Sequence, residues 1–387
     1  MAVTDPEIRE QMVATVRRFV EREVLPVASE LERADEYPAE IVDGMRELGL
    51  FGVTISDEHG GLGLDLRTYI GVIEELAAGW MSLSGVLNTH VMVANLLVAN
   101  GTDAQRARWL PRLAAGEIRG ALSLSEPDAG SDTGALTCRA TRDGDEYSIS
   151  GTKTWVTNGQ RAGLVALAAR TDDGITCFMV DKEAGAATFG GVTVSRNIGK
   201  LGYKGIETVE MSWDEHRVSA DCVLGGDAGL GRGRQFILAA LEVGRINIAA
   251  RAVGVARAAF EAAIRYAQQR ETFGKPIAQH QSIQNKLADM GTKIAAARLL
   301  AQHAADLKDA GVRCDVEAGM AKLYASETAF EVASDAMRVH GGVGYTTELP
   351  IERYYRDAPL MIIGEGTNEI QRLVIARGLL ERYPLGG

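Results

Sequence analysis

The sequence predicts an α+β protein that is mostly α. A helical N-terminal domain is expected at residues 1–118, a central antiparallel β-barrel or sandwich at 119–228, and a C-terminal helical bundle at 229–387. Three observations carry this reading. Apolar residues recur at steps of three and four in the first and last stretches. The stretch between them consists of short segments rich in Val, Thr, Ile and Tyr, separated by Gly, Asp and Asn. No long helical pattern interrupts those segments, so the strands pair with one another and not through βαβ crossovers. At 387 residues the chain also exceeds one ordinary compact domain.

In residues 7–27, Ile8, Val13, Val16, Phe19 and Val20 share one helical face. Pro38 marks a first turn for Ile41, Met45 and Leu48, and Gly49 can end that helix. HGGLG at 59–63 reads as a loop, and residues 67–78 and 86–100 as further helices, with Gly101 as a stop. Strands are expected at 147–150, 164–169, 176–180 and 209–213, with turns at Asp143-Gly144 and Asn158-Gly159. From Arg234 onward the chain is Ala-rich. Ile283, Leu287, Met290, Ile294, Ala297, Ala301 and Ala304 form a long apolar stripe of the kind that an antiparallel bundle buries.

Hydrophobic residues make up 46% and charged residues 24%, an ordinary globular balance. The formal charge of −11 and the lack of any basic run give nucleic-acid binding no support. Cys138, Cys177, Cys222 and Cys314 are widely spaced, which suggests neither a metal site nor a disulfide framework. The N-terminal residues do not read as a secretory signal, and the most apolar stretch, 91–99, is broken by Asn95. A cytoplasmic protein with no membrane association is the expectation.

Familiar nucleotide and hydrolase signatures fail. The glycine-rich loop at 225–233 lacks the GxGxxG spacing and opens a helical region instead of a βαβ unit. There is no GxxxxGK[ST], no HExxH and no GxSxG. Four other segments are more suggestive. Ser123 to Asp132, SLSEPDAGSD, gathers hydroxyls and glycines that can offer several donors to one polar ligand, or can be an ordinary turn. In KTWVTNG, period-two geometry puts Trp155 and Thr157 on one face, which suits a planar cofactor or a cross-strand packing pair. In RETFGK, Arg270 can grip a pyrophosphate and Phe273 can stack on a ring, or the segment is a charged helix end. Glu365, between Gly364 and Gly366, is either a helix-start glutamate or a partly buried carboxylate able to accept a carbon-bound proton.

The order and spacing of SEPDAGSD, KTWVTNG, RETFGK, VHGGVGY and EGTNEIQR resemble the acyl-CoA dehydrogenase family, over roughly residues 5–380. The resemblance implies a C-terminal four-helix bundle, with FAD lying between it and the β domain. It also implies a homotetramer, a dimer of dimers, in which the adenosine end of the FAD reaches a neighbouring subunit. Leu124 and Ser125 would touch the flavin, Trp155 would pack on it and Thr157 would bond near N5. Arg270, Thr272 and Phe273 would hold the diphosphate and adenine side of a neighbour's FAD. Gln281, Gly342, Thr367 and Glu369 would be further FAD contacts. Ser131, Glu242 and Arg245 would line the acyl-thioester path beside Gly364 and Gly366. Glu365 would take the α-proton while the β-hydride passes to flavin N5, giving a trans-2-enoyl thioester. Electron-transfer flavoprotein would be the redox partner, and an acyl-CoA or acyl-carrier thioester the substrate.

Two positions depart from the family pattern. Arg338 stands where a Gln usually contacts FAD, and Gly364 where an aromatic often precedes the base. The second change should widen the acyl pocket for a bulky, branched or cyclic group, or for one presented on a carrier protein. Some relatives place the base beside Arg245. Here Gly244 occupies that neighbouring position, which leaves Glu242, one turn earlier, as the competing carboxylate. Two other functions stay open: an O2-using oxidase of the same fold, and a non-catalytic acyl-binding flavoprotein.

Overall fold

The structure, a computed structural model, describes residues 3–385. Six helices come first: α1 (Pro6–Phe19), α2 (Ala28–Ala34), α3 (Ala39–Glu47), α4 (Leu66–Gly79), α5 (Met81–Asn100) and α6 (Asp103–Ala114). Local chemistry sets their ends. Asp5 caps α1 by accepting from Glu7 N–H, with Pro6 in its first turn. Asp65 caps α4, and Thr102 with Gln105 forms a reciprocal capping box on α6. The single helix expected over 7–27 instead passes into a π turn at Val20–Val24. The 38–48 helix ends as expected, with Gly49 left-handed at φ 70°.

The middle region holds β1 (Gly120–Ser123), β2 (Arg139–Asp143), β3 (Glu146–Thr157), β4 (Leu164–Thr171), β5 (Gly174–Asp181), β6 (Thr188–Phe189), β7 (Val192–Val194) and β8 (Thr208–Ser219). They form one sheet in the order β1-β4-β2-β3-β8-β7-β6, with β5 added against β4. Most pairs are antiparallel, but β1 runs parallel to β4, and β2 meets β4 in parallel at Arg139–Arg170. The all-antiparallel expectation missed this. β1 enters from α6 and leaves through a long loop, so no tight hairpin constrains its direction. Alternation along β4 and β5 divides the core. Leu164, Ala166, Ile175 and Met179 pack with Leu96, Trp109 and Phe236 of the helices. Val165, Leu167, Phe178 and Val180 close the interior of the curled sheet with Tyr147, Ile149 and Trp213.

The C-terminal helices are α7 (Gly233–Gln269), α8 (Gln281–Asp309), α9 (Asp315–His340), α10 (Ile351–Ile363) and α11 (Asn368–Arg382), with a two-stranded hairpin, β9 (Glu271–Thr272) and β10 (Lys275–Pro276), after α7. α9 packs on α7, α8, α10 and α11. α7 also packs on α4 and α5, so it is buried nearly all round between Val243 and Ala256. The stripe foreseen on α8 is buried at Met290, Ile294, Ala297, Ala301 and Ala304. The glycine loop at 225–233 is a packing device. A Cβ at Gly229 would lie 1.8 Å from Leu224 O, and one at Gly233 would lie 2.3 Å from Cys177 N.

α5 has the length and hydropathy of a membrane span, yet 83% of that window is buried within the protein. Its polar side chains are engaged there. His90 is fully buried, which pushes its pKa down to about 4. Its Nδ1 accepts from Gly120 N–H at 3.3 Å, so its neutral ring donates from Nε2 to Phe51 O at 3.1 Å. Asn158, left-handed at φ 62°, donates to Val86 O at 3.0 Å. These bonds seat α5 against the β domain. They place Asn88 of α5 opposite the turn between α10 and α11.

Candidate functional site

The α10–α11 turn has an unusual backbone. Gly364 is extended, Glu365 is left-handed at φ 55°, and Gly366 follows at φ 87°. A non-glycine residue held there costs on the order of 1–3 kcal/mol and persists only where its surroundings enforce it. Lys322 of α9, fully buried, supplies that enforcement. Its ammonium donates to Ile362 O and Gly366 O, both at 3.0 Å, and to Asn368 Oδ1 at 2.8 Å. Gln371 Nε2 adds a bond to Gly366 O at 3.0 Å, and Thr367 caps α11. Burial draws the Lys322 pKa down to about 8.

The half-buried Glu365 side chain points into the seam of α5 and α7. Asn88 Nδ2 donates to its Oε1, while its Oε2 has no partner. Burial raises its pKa. Arg251, the Asn88 bond, Lys322 and Arg245 pull the other way, and burial prevails. Gly244 makes room for this pose, because a Cβ there would sit 1.8 Å from Glu365 Oε2. A carboxylate held above its ordinary range, with one free oxygen, is a better proton acceptor than an exposed glutamate.

A second cluster forms at the β domain. The buried Lys153 ammonium pairs with Glu126 at 2.8 Å and donates to Leu124 O at 2.8 Å. Glu126 also accepts from Thr137 N–H at 2.7 Å and Cys138 N–H at 2.9 Å. Thr154 N–H donates to Ser125 O at 2.9 Å. The segment Leu124–Ser125 is thereby pinned beside Trp155 and Thr157. A register shift between Lys153 and Val156, with Trp155 left-handed at φ 60°, turns the indole outward to 62% exposure. Val156 beyond the bulge is buried and Thr157 half-buried.

The remaining candidates fall elsewhere on the chain. Arg270 closes α7, and Thr272 and Phe273 lie on the β9–β10 hairpin, where left-handed Phe273 and Gly274 make the turn. Phe273 is 96% exposed, and Gln281 is exposed at the start of α8. Arg338 and Gly342 sit exposed at the end of α9, with Arg338 paired to Asp335 at 3.3 Å. Thr367 and exposed Glu369 share the α11 N-terminus, where backbone and Thr367 hydrogen bonds hold the Glu369 carboxyl below its ordinary range. Ser131 is exposed in the β1–β2 loop. Arg245 is buried with its Nε unpartnered, and Glu242 is paired with Lys308 at 2.7 Å. Sequence reasoning did not single out Asn88, Arg251, Lys322, Glu126 or Lys153. Only Asn88 carried a local signal, as an amide inside an apolar helix.

Comparisons with known proteins follow the same three parts. The acyl-CoA dehydrogenase N-terminal, middle and C-terminal domain models match residues 6–117, 121–216 and 231–380. An acyl-CoA dehydrogenase of Bacillus subtilis is 40% identical over 386 residues, covering 98% of this chain and 99% of that one. Butyryl-CoA dehydrogenase from Megasphaera elsdenii superposes with a TM-score of 0.93 at 35% identity, covering 98% of this chain and 100% of the other. A glutaryl-CoA dehydrogenase from Mycobacterium smegmatis in complex with FADH2 superposes at 0.90 with 31% identity, over 98% and 95%.

Two outcomes test this geometry. Glu126→Ala strands a buried ammonium and should lower the unfolding free energy by roughly 3–5 kcal/mol, read by urea titration. Glu365→Gln should act in the opposite sense. A carboxyl whose folded pKa is raised stabilises the fold below its unfolded pKa and loses that contribution as pH rises through the folded value. The Gln variant should therefore gain in Tm relative to wild type between pH 4 and pH 7.

Proposed function

Because this chain belongs to the acyl-CoA dehydrogenase family, oxidoreductases acting on CH–CH bonds, we propose that it oxidises an acyl thioester at the α,β-carbons to the trans-2-enoyl thioester, with Glu365 as the α-proton base. The observation that carries this is the Glu365 carboxylate itself. Its Oε2 is buried and free, its pKa is raised, and residues of three helices fix it. Glu242, the competing carboxylate, is occupied by Lys308.

The residues around Trp155 fit an FAD. An exposed indole stands two residues before Thr157, and the buried Ser123 Oγ, Asn158 Oδ1 and Thr208 Oγ1 have no hydrogen-bond partner. Leu124, Ser125, Trp155 and Thr157 would hold the flavin. Arg270, Thr272, Phe273 and Gln281, with Arg338, Gly342, Thr367 and Glu369, would hold the diphosphate and adenosine parts. FAD bound there supplies the acceptor for the β-hydrogen and its electron pair. Glu365 removes the α-proton to its free oxygen, and Asn88 keeps the carboxylate aimed. The turn backbone and Arg245 border the thioester path, with Ser131, Glu242 and Gly366 farther along it. The 96% exposure of Phe273 supports a homotetramer in which this hairpin reaches a neighbour's FAD. Electron-transfer flavoprotein is the proposed electron acceptor.

Gly364 leaves space before the base. A Cβ there would meet only Leu360, at 3.3 Å from its carbonyl oxygen. We therefore assign a bulky, branched or cyclic acyl group, carried on CoA or on a carrier protein. Strict preference for butyryl-CoA in a substrate panel would refute this. Glu365→Gln should leave the protein yellow while slowing anaerobic flavin bleaching on the order of 10²–10⁴-fold. The wild-type rate should rise with pH on a limb whose midpoint lies above the ordinary value of 4.5, and the Gln variant should lack that limb. A fully active Gln variant rejects the assignment.

A further inference from the structure

Arg251 of α7 is a cation for which the proposed chemistry has no use. It is 2% exposed, its Nε has no partner, and among the described residues it forms no ion pair. Its terminal nitrogen donates to Asn247 Oδ1 at 3.1 Å and, at 3.5 Å, to Ser84 O, and the Tyr203 hydroxyl is its other neutral partner. A buried guanidinium in this condition is costly unless a charge of opposite sign visits it.

The charge balance around the base sharpens the point. Arg251, Arg245 and Lys322 all face Glu365. Arg245 also has Glu242 and Asp315 nearby, and Lys322 has Glu369 and Glu327. For Arg251 the facing carboxylate is Glu365, which burial pushes toward its neutral form.

The walls around Arg251 are polar. Its guanidinium lies over the Tyr203 ring at 5.5 Å. Tyr203 is held left-handed at φ 56°, with its N–H donating to Asp357 at 2.7 Å. The Tyr203 hydroxyl occupies the space that a side chain at Gly85 would need, 1.7 Å from a Cβ there. Asn247 donates to Tyr69 Oη at 2.8 Å. A hydrocarbon tail gains little from such a lining, whereas a carboxylate gains a two-pronged donor. Arg251 follows Gly244, the residue against Glu365 Oε2, by about two helical turns on one face of α7. That spacing is about 10 Å along the helix axis, the reach of a short acyl chain.

We propose that Arg251, walled by Tyr203 and Asn247, is a specificity-determining residue that takes a carboxylate at the far end of the acyl group. The substrate class is then a short dicarboxylic acid held as its monothioester. This rests on the dehydrogenase reading above and narrows its acyl group to a short one, branched or not, that ends in a carboxylate.

The test is anaerobic flavin bleaching of the holoenzyme with matched pairs, succinyl-CoA against butyryl-CoA and glutaryl-CoA against pentanoyl-CoA. The wild type should favour the carboxylated member in at least one pair, and Arg251→Met should cut that kcat/KM ratio on the order of 100-fold. If the wild type favours the neutral member in both pairs, Arg251 does not select a carboxylate and the dehydrogenase reading still stands. If Arg251→Met slows both members equally, Arg251 serves only Glu365 and the proposal falls. If no thioester bleaches the flavin, both readings fall. Should Arg251→Met not fold with bound flavin, the wild-type preference decides alone.

Discussion

One carboxyl group, that of Glu365, is held with an oxygen out of water, and side chains from three helices converge on it. Three helices supply the conditions for Glu365. α5 contributes Asn88, which orients one oxygen. α7 contributes Gly244, whose missing side chain is the space the other oxygen fills. α9 contributes Lys322, whose ammonium ties down the backbone on both sides of the left-handed residue. A looser turn would let the side chain swing to water, where its pKa would return to the ordinary range and its aim would be lost.

The β domain solves a related problem with a different device. A loop rich in hydroxyls has little packing of its own to fix it. The buried Lys153–Glu126 pair gives it a fixed point, because Glu126 also collects the Thr137 and Cys138 amides. A buried ion pair is no certain source of stability, but losing one partner is expensive, so the pair enforces a unique loop position. The strand then bulges at the next residues and turns Trp155 outward.

The two clusters share an electrostatic asymmetry. The β-side ion pair is closed and neutral, with its charges satisfied internally. The helical side is open: Arg251, Arg245 and Lys322 face Glu365, whose pKa burial raises, and while Arg245 and Lys322 have further carboxylates near them, Arg251 is left with Glu365. Such an imbalance favours anions. That bias is strongest at Arg251, which is buried without an ion-pair partner among the described residues.

Local pattern was enough for the broad plan. Periodicity in residues 283–304 and alternation in residues 164–180 reflect short-range geometry, so the helical and strand regions were legible. The glycines flanking Glu365 and the spacing of Trp155 and Thr157 marked these residues as candidates from local pattern alone. What sequence alone left open depends on contacts between residues far apart in the chain. Nothing near Lys322 marks it as a clamp for a turn more than forty residues away, and nothing near Arg251 says that it faces Glu365. The parallel β1–β4 pairing likewise follows from where α6 delivers the chain. Spacing along a chain determines which faces are apolar. Only the packed helices decide which charges meet in the same dry volume, and there a few ångströms set whether a carboxyl is a surface ornament or a base.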